Sequence, residues 1–151
     1  MSQRRLTRVA VTVLVIGLGL AQLLPAARTN PPSQGDLIAP APVAATLRRA
    51  CYDCHSNATR WPWYSRVAPL SWMIVRHVTD GRRQLNFSAW SGYYPHTRRR
   101  KLQWIGRALR DERMPPWSYT LMRPGARLTD GDRLELERWI ESALAPAAAP
   151  Q

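Results

Sequence analysis

The first apolar stretch of the chain is unbroken. Arg4, Arg5 and Arg8 precede a run from Val9 to Leu24, softened only by Thr12, Gly17, Gly19 and Gln22. A positive cluster ahead of such a run is the pattern of a signal peptide or a signal-anchor. The run is 16 residues, or 19 with Pro25, Ala26 and Ala27, close to the roughly 20 that a membrane span requires. Cleavage after Ala26 or Ala27 would put Leu24 or Pro25 at the −3 position, where a small residue is expected. The pattern therefore favours an uncleaved anchor over residues 1–27. Arginines ahead of the run place the N-terminus in the cytoplasm and the rest of the chain in the periplasm, on the outer side of the cytoplasmic membrane. A cleaved segment would leave a periplasmic protein.

Beyond the run the pattern changes twice. Residues 28–41 hold Pro31, Pro32 and Pro40 among small and polar residues and read as a proline-rich linker. From 42 to 145 apolar positions recur at helical spacing. Val43, Leu47 and Ala50 predict a helix over 42–50. Leu70, Met73, Ile74, His77 and Val78 predict one over 69–79, stopped by Gly81, and Leu102, Ile105 and Leu109 one over 97–111, ended by Pro115 and Pro116. Thr129, with Asp130 and Asp132 behind it, opens a last helix whose apolar face is Leu136, Trp139, Ile140 and Leu144. Ser88 is placed to cap a short turn near Trp90. No stretch alternates as a strand does, so the expected fold is all-α, one small helical domain. Residues 146–151 read as a disordered tail.

Chemistry enters at Cys51-Tyr52-Asp53-Cys54-His55, which holds both cysteines of the chain. C-x-x-C-H is the attachment site of a c-type haem: each thiol can form a thioether to a vinyl group, and the imidazole can bind iron from one face. Zinc would want a fourth ligand beyond the three that this turn supplies, and a thioredoxin-like dithiol would want a βαβ frame. The ligand on the far face decides between an electron carrier and an open, small-molecule-binding haem. Met114, held before Pro115-Pro116, is the first candidate; His77, on a helix face, is the alternative. Either could equally be ordinary packing.

Composition adds three readings. Seven tryptophans in 151 residues suit a flat aromatic cofactor, with Trp61 and Trp63, just after the motif, as its expected neighbours. Arg82 is placed to pair with a propionate. The net charge of +12, including the run Arg98 to Lys101, fits an acidic docking face on a redox partner or a lipid surface. Nucleic acid is set aside, because the anchor places the domain outside the cytoplasm.

The motif extends as Cys51-Tyr-Asp-Cys-His-Ser-Asn, then Trp61-Pro-Trp-Tyr-Ser65, Ala68-Pro-Leu-Ser-Trp72, Leu85-Asn-Phe-Ser88 and Met114-Pro-Pro. Over roughly 42–144 the chain resembles the bacterial haem-binding domain family of c-type cytochrome-like proteins. The resemblance implies a small helical domain around one covalent haem c behind an N-terminal membrane segment. Cys51 and Cys54 would carry the haem, His55 would be the proximal iron ligand, and Met114 would look like the distal one. The function expected is electron transfer without catalysis; the alternative is a haem-based sensor or gas- or peroxide-binding protein with a displaceable distal site.

Overall fold

A computed structural model of the chain describes residues 2–145; the expected tail, 146–151, lies outside the described residues. The described residues form seven α-helices and no strand: α1 (Gln3–Ala21), α2 (Ala41–Ala50), α3 (Tyr52–His55), α4 (Leu70–Gln84), α5 (Pro95–Arg110), α6 (Trp117–Met122) and α7 (Asp130–Leu144). Short 3-10 turns at Trp63–Arg66, Phe87–Gly92 and Pro124–Ala126 link them. The all-α expectation holds.

One core gathers α2, α5 and α7. Val43 and Leu47 from α2, Leu102, Ile105 and Leu109 from α5, and Leu136 and Ile140 from α7 meet Leu85, Phe87 and Trp90 from the connection after α4. Leu47 and Leu136 are at most 1% exposed, each contributing about 2 kcal/mol of burial. The N-terminus of α7 is fixed twice. Thr129 and Asp132 close a capping box, and Arg49 from α2 reaches Asp132 at 2.7 Å while also donating to the carbonyls of Gly125 and Arg127. Burial alone would raise the Asp132 carboxyl, but the Thr129 amide and hydroxyl and the Arg49 guanidinium outweigh it and hold it down at about 2.

α4 departs from its sequence reading in two ways. It continues through Gly81 to Gln84, and the side it buries is Ser71 and Val78. Leu70 (38% exposed), Met73 (47%) and His77 lie open. The spacing is helical, but of the expected apolar face only Val78 is buried and Ile74 half-buried. Ser88 is not the cap of the 87–92 turn either. The Asn86 side chain takes that place, accepting from the Ser88 amide, and the Ser88 hydroxyl accepts from the Asn57 amide instead.

The membrane anchor is not found. Among the described residues no helix is long and apolar enough to cross a membrane. The physical reason is that α1 begins at Gln3 and so takes Arg4, Arg5 and Arg8 into itself. Its apolar part, Val9–Ala21, is about 20 Å long at 1.5 Å per residue, against a hydrocarbon core of about 30 Å. The single-pass topology goes with the anchor, and so does the topological ground for setting nucleic acid aside. The helix ends where the chain turns onto the domain. The Gln22 amide pairs with both backbone groups of Ala68 (3.2 and 3.0 Å), and the Trp72 indole donates to the Leu24 carbonyl. The proline-rich stretch that follows is extended and lies on the domain. Arg28 reaches the Ser65 carbonyl, the Leu37 amide bonds to Phe87, and the Asn57 side chain donates to Pro32.

Candidate haem site

Cys51 ends α2 and opens the single turn α3, which brings Cys54 and His55 onto the same corner. Both cysteines are free thiols, half-buried. Burial pushes the Cys51 thiol up to about 12, helped by Cys54 and opposed by Arg49; burial also raises Cys54, against the pull of Arg82. Thiols raised in this way lack the depressed pKa of a reactive dithiol. Among the described residues no group of three or more His, Cys, Asp or Glu side chains is placed to hold a metal ion.

His55 is aimed by its backbone surroundings. Its Nδ1 lies 3.0 Å from the Gly81 carbonyl and 3.2 Å from that of Leu85, so Nδ1–H donates to the end of α4. That fixes the tautomer and leaves the Nε2 lone pair for iron, the arrangement that orients a ligating histidine. Burial lowers the imidazole pKa, partly offset by those two carbonyls, which favours the neutral, ligating form. The ring also stands edge-on to Phe87, centroids 6.4 Å apart, and Phe87 stacks on Tyr52 at 5.2 Å.

Gly81, which sequence rules make a helix stop, has a different task. A Cβ there would sit 2.5 Å from the Cys54 carbonyl oxygen and 3.2 Å from the Cys54 Cβ. Only glycine lets α4 press against the motif closely enough for its carbonyl to take the His55 proton. The Ser56-Asn57 pair after the motif is a clamp. The Ser56 hydroxyl donates to the Tyr52 carbonyl and accepts from the Ala58 amide, and Asn57 accepts from the Asn86 side chain.

The other predicted residues are placed unevenly. Met114 is half-buried. It follows a helix end of Schellman type, in which the Arg113 amide bonds to the Ala108 carbonyl and the Glu112 amide to Leu109, with Glu112 at φ 52°. His77 is exposed on α4. Trp61 is half-buried and donates to the Asn30 side chain; Trp63 is 77% exposed. Arg82 commits its guanidinium to protein oxygens: the Ser56 and Thr29 carbonyls, the Asn30 side chain and the Thr59 hydroxyl. It therefore ties the extended 28–41 segment to the loop after the motif, using Nε, both Nη2 hydrogens and one of the two Nη1 hydrogens.

The donor set fits a haem. Two thiols and an imidazole with a free Nε2 share one corner, and large apolar side chains stand open on the helices of the domain: Leu70 and Met73 on α4, Trp104 (42% exposed) on α5 and Trp117 (77%) on α6. A family model described as a haem-binding domain matches residues 16–142. The chain belongs to the haem-binding domain family. The match takes in the end of α1 and the extended segment, so it starts earlier than the resemblance read from the motifs. No curated protein and no solved structure matches the chain. What membership brings is haem binding; the residue roles rest on the geometry of the corner itself.

Sequence reasoning did not foresee Gly81 and Leu85 as acceptors for His55, nor Asp53 as a junction. Asp53 is 6% exposed, and the signal that could have singled it out is a lone acid inside the attachment motif of a strongly basic chain.

Proposed function

We propose that this haem-binding domain is a monohaem electron carrier, with one haem c held by thioethers from Cys51 and Cys54 and its iron bound by His55 and Met114. The observation that carries the reading is the His55 ring, whose Nδ1 is anchored on Gly81 and Leu85 while Cys51 and Cys54 stand just ahead of it on the same turn. When bound, the haem supplies the one-electron couple of its iron. The chain's own residues hold and shield it. Gly81 and Leu85 keep the imidazole from rotating. Leu70, Met73 and Trp104 offer apolar surface to a porphyrin, and Pro115-Pro116 stiffens the backbone behind Met114. No nucleophile or general base is required, so the role is transfer without catalysis. Arg99 and Arg100 are exposed at the start of α5 and suit an acidic face on the redox partner.

The test is a reduced-minus-oxidised absorption spectrum with a potentiometric titration, on wild type and Met114→Ala. The reading expects a reversible one-electron couple and a sulfur-to-iron charge-transfer band in the oxidised wild type. The substitution should abolish the band, lower the potential and admit carbon monoxide to the reduced protein. Fast, complete carbon monoxide binding by wild type would contradict a stable Met114 bond and favour an open-site sensor.

A further inference from the structure

The middle of the attachment motif holds a buried acid whose hydrogen-bond partners all lie outside the motif. The Asp53 side chain is 8% exposed, and both its oxygens are engaged. Oδ1 accepts from the Arg60 amide at 3.1 Å and Nε at 3.4 Å. Oδ2 accepts from the Tyr119 hydroxyl at 2.8 Å and from Arg123 Nη1. The Asp53 carbonyl accepts from the Thr59 hydroxyl at 2.7 Å. Tyr119 and Arg123 belong to α6 and its C-terminal end, the segment that follows Met114-Pro115-Pro116. Burial, together with Cys54 nearby, pushes the Tyr119 phenol up to about 12, so its O–H remains a donor.

We infer that Asp53 is a positioning residue for the distal ligand: its carboxylate latches α6 onto the attachment turn and so sets where Met114 stands relative to His55. The segment is held at two points. Upstream, the Schellman turn at Ala108–Arg113 ends α5 and delivers the chain to Met114. Downstream, Tyr119 and Arg123 hold it against the same turn that bears the thiols and the proximal histidine. Two arginines and a phenol on one buried carboxylate are a fully satisfied, charge-assisted cluster. An amide in place of the carboxylate keeps one acceptor oxygen but replaces the other with an NH2 donor and removes the charge, so the donors Arg60, Tyr119 and Arg123 can no longer all be satisfied and the loop is loosened. The Asp53 carboxylate acts through α6, by way of Tyr119 and Arg123.

This inference rests on the Met114 reading, and its test separates the two. Asp53→Asn and the milder Tyr119→Phe, which deletes one hydroxyl, are compared with wild type as holoproteins by charge-transfer band, midpoint potential and amide hydrogen exchange. A latch predicts that both variants keep covalent haem and the His55-type spectrum. It also predicts a weakened charge-transfer band, a lowered potential and exchange at least tenfold faster confined to residues 114–123, with Asp53→Asn the larger effect. Unchanged band and exchange in both variants would overturn it, as would faster exchange spread over the whole domain. If wild type itself lacks the band, Met114 ligation falls. The exchange pattern then still decides whether Asp53 holds α6.

Discussion

The two sides of the site are built to different standards. On the His55 side the backbone does the holding: one carbonyl from α4, Gly81, and one from the residue just after it, Leu85, grip the ring, a glycine admits the helix to within contact of Cys54, and Phe87 backs the imidazole. On the Met114 side the residue is half-buried in a loop that depends on side chains, Tyr119 and Arg123 reaching Asp53 across 66 and 70 residues of sequence. Backbone acceptors inside a helix cannot be lost by a single side-chain change, whereas a carboxylate latch can. The first side is therefore fixed by the fold, and the second is adjustable. The proposed electron carrier would benefit from that division, because a distal ligand tunes the potential while the proximal one keeps the haem in place.

The comparison breaks most visibly at the proximal side. His55→Ala should abolish the low-spin absorption spectrum of both oxidation states; a variant that keeps it would mean that the iron takes its proximal ligand from elsewhere. Gly81→Ala is the next largest perturbation. The new Cβ meets backbone at Cys54, which cannot swing aside, so a loss of about 1–3 kcal/mol is expected from denaturant unfolding, together with a shifted potential as the carbonyl leaves His55. Wild-type stability with an unmoved potential would show that α4 can retreat freely. Asp132→Asn supplies a smaller change at a distance from the site. It weakens the capping box and the Arg49 pair by about 1 kcal/mol and should leave the haem spectrum untouched. The Asp132 pKa is depressed from 3.8 to about 2 by folding, so its contribution is present above pH 3.8 and lost as the pH falls through about 2. The stability gap between wild type and variant should accordingly be full at neutral pH and close between those values. A gap that persists at pH 2 would contradict the assignment.

How far the sequence could be read follows the same division. Local signals were legible. Helical spacing placed α2, α5 and α7 to within about two residues, Thr129 with Asp132 declared the α7 cap, and five consecutive residues named the haem chemistry. What stayed hidden were relations across the chain. Gly81 obeys the rule for a helix stop unless Cys54 is known to lie against it. The structural task of Arg82 was hidden because a charge does not reveal that Ser56, Thr29, Asn30 and Thr59 surround it. Asp53 sat inside the motif, but its partners lie far downstream. The N-terminal run failed for a different reason. Its apolar length suggested a span, yet the helix that forms starts early enough to include three arginines, and the apolar portion left is too short.

The central claim is that Cys51 and Cys54 hold a haem through covalent bonds beside His55. Acidified organic extraction of the purified holoprotein, followed by a pyridine haemochrome spectrum of each fraction, tests it directly. The account predicts that the haem stays with the polypeptide and shows the blue-shifted reduced band of a porphyrin with both vinyl groups saturated, and that it becomes extractable in the Cys51→Ala, Cys54→Ala double variant. Complete extraction of unmodified haem from wild type would contradict it.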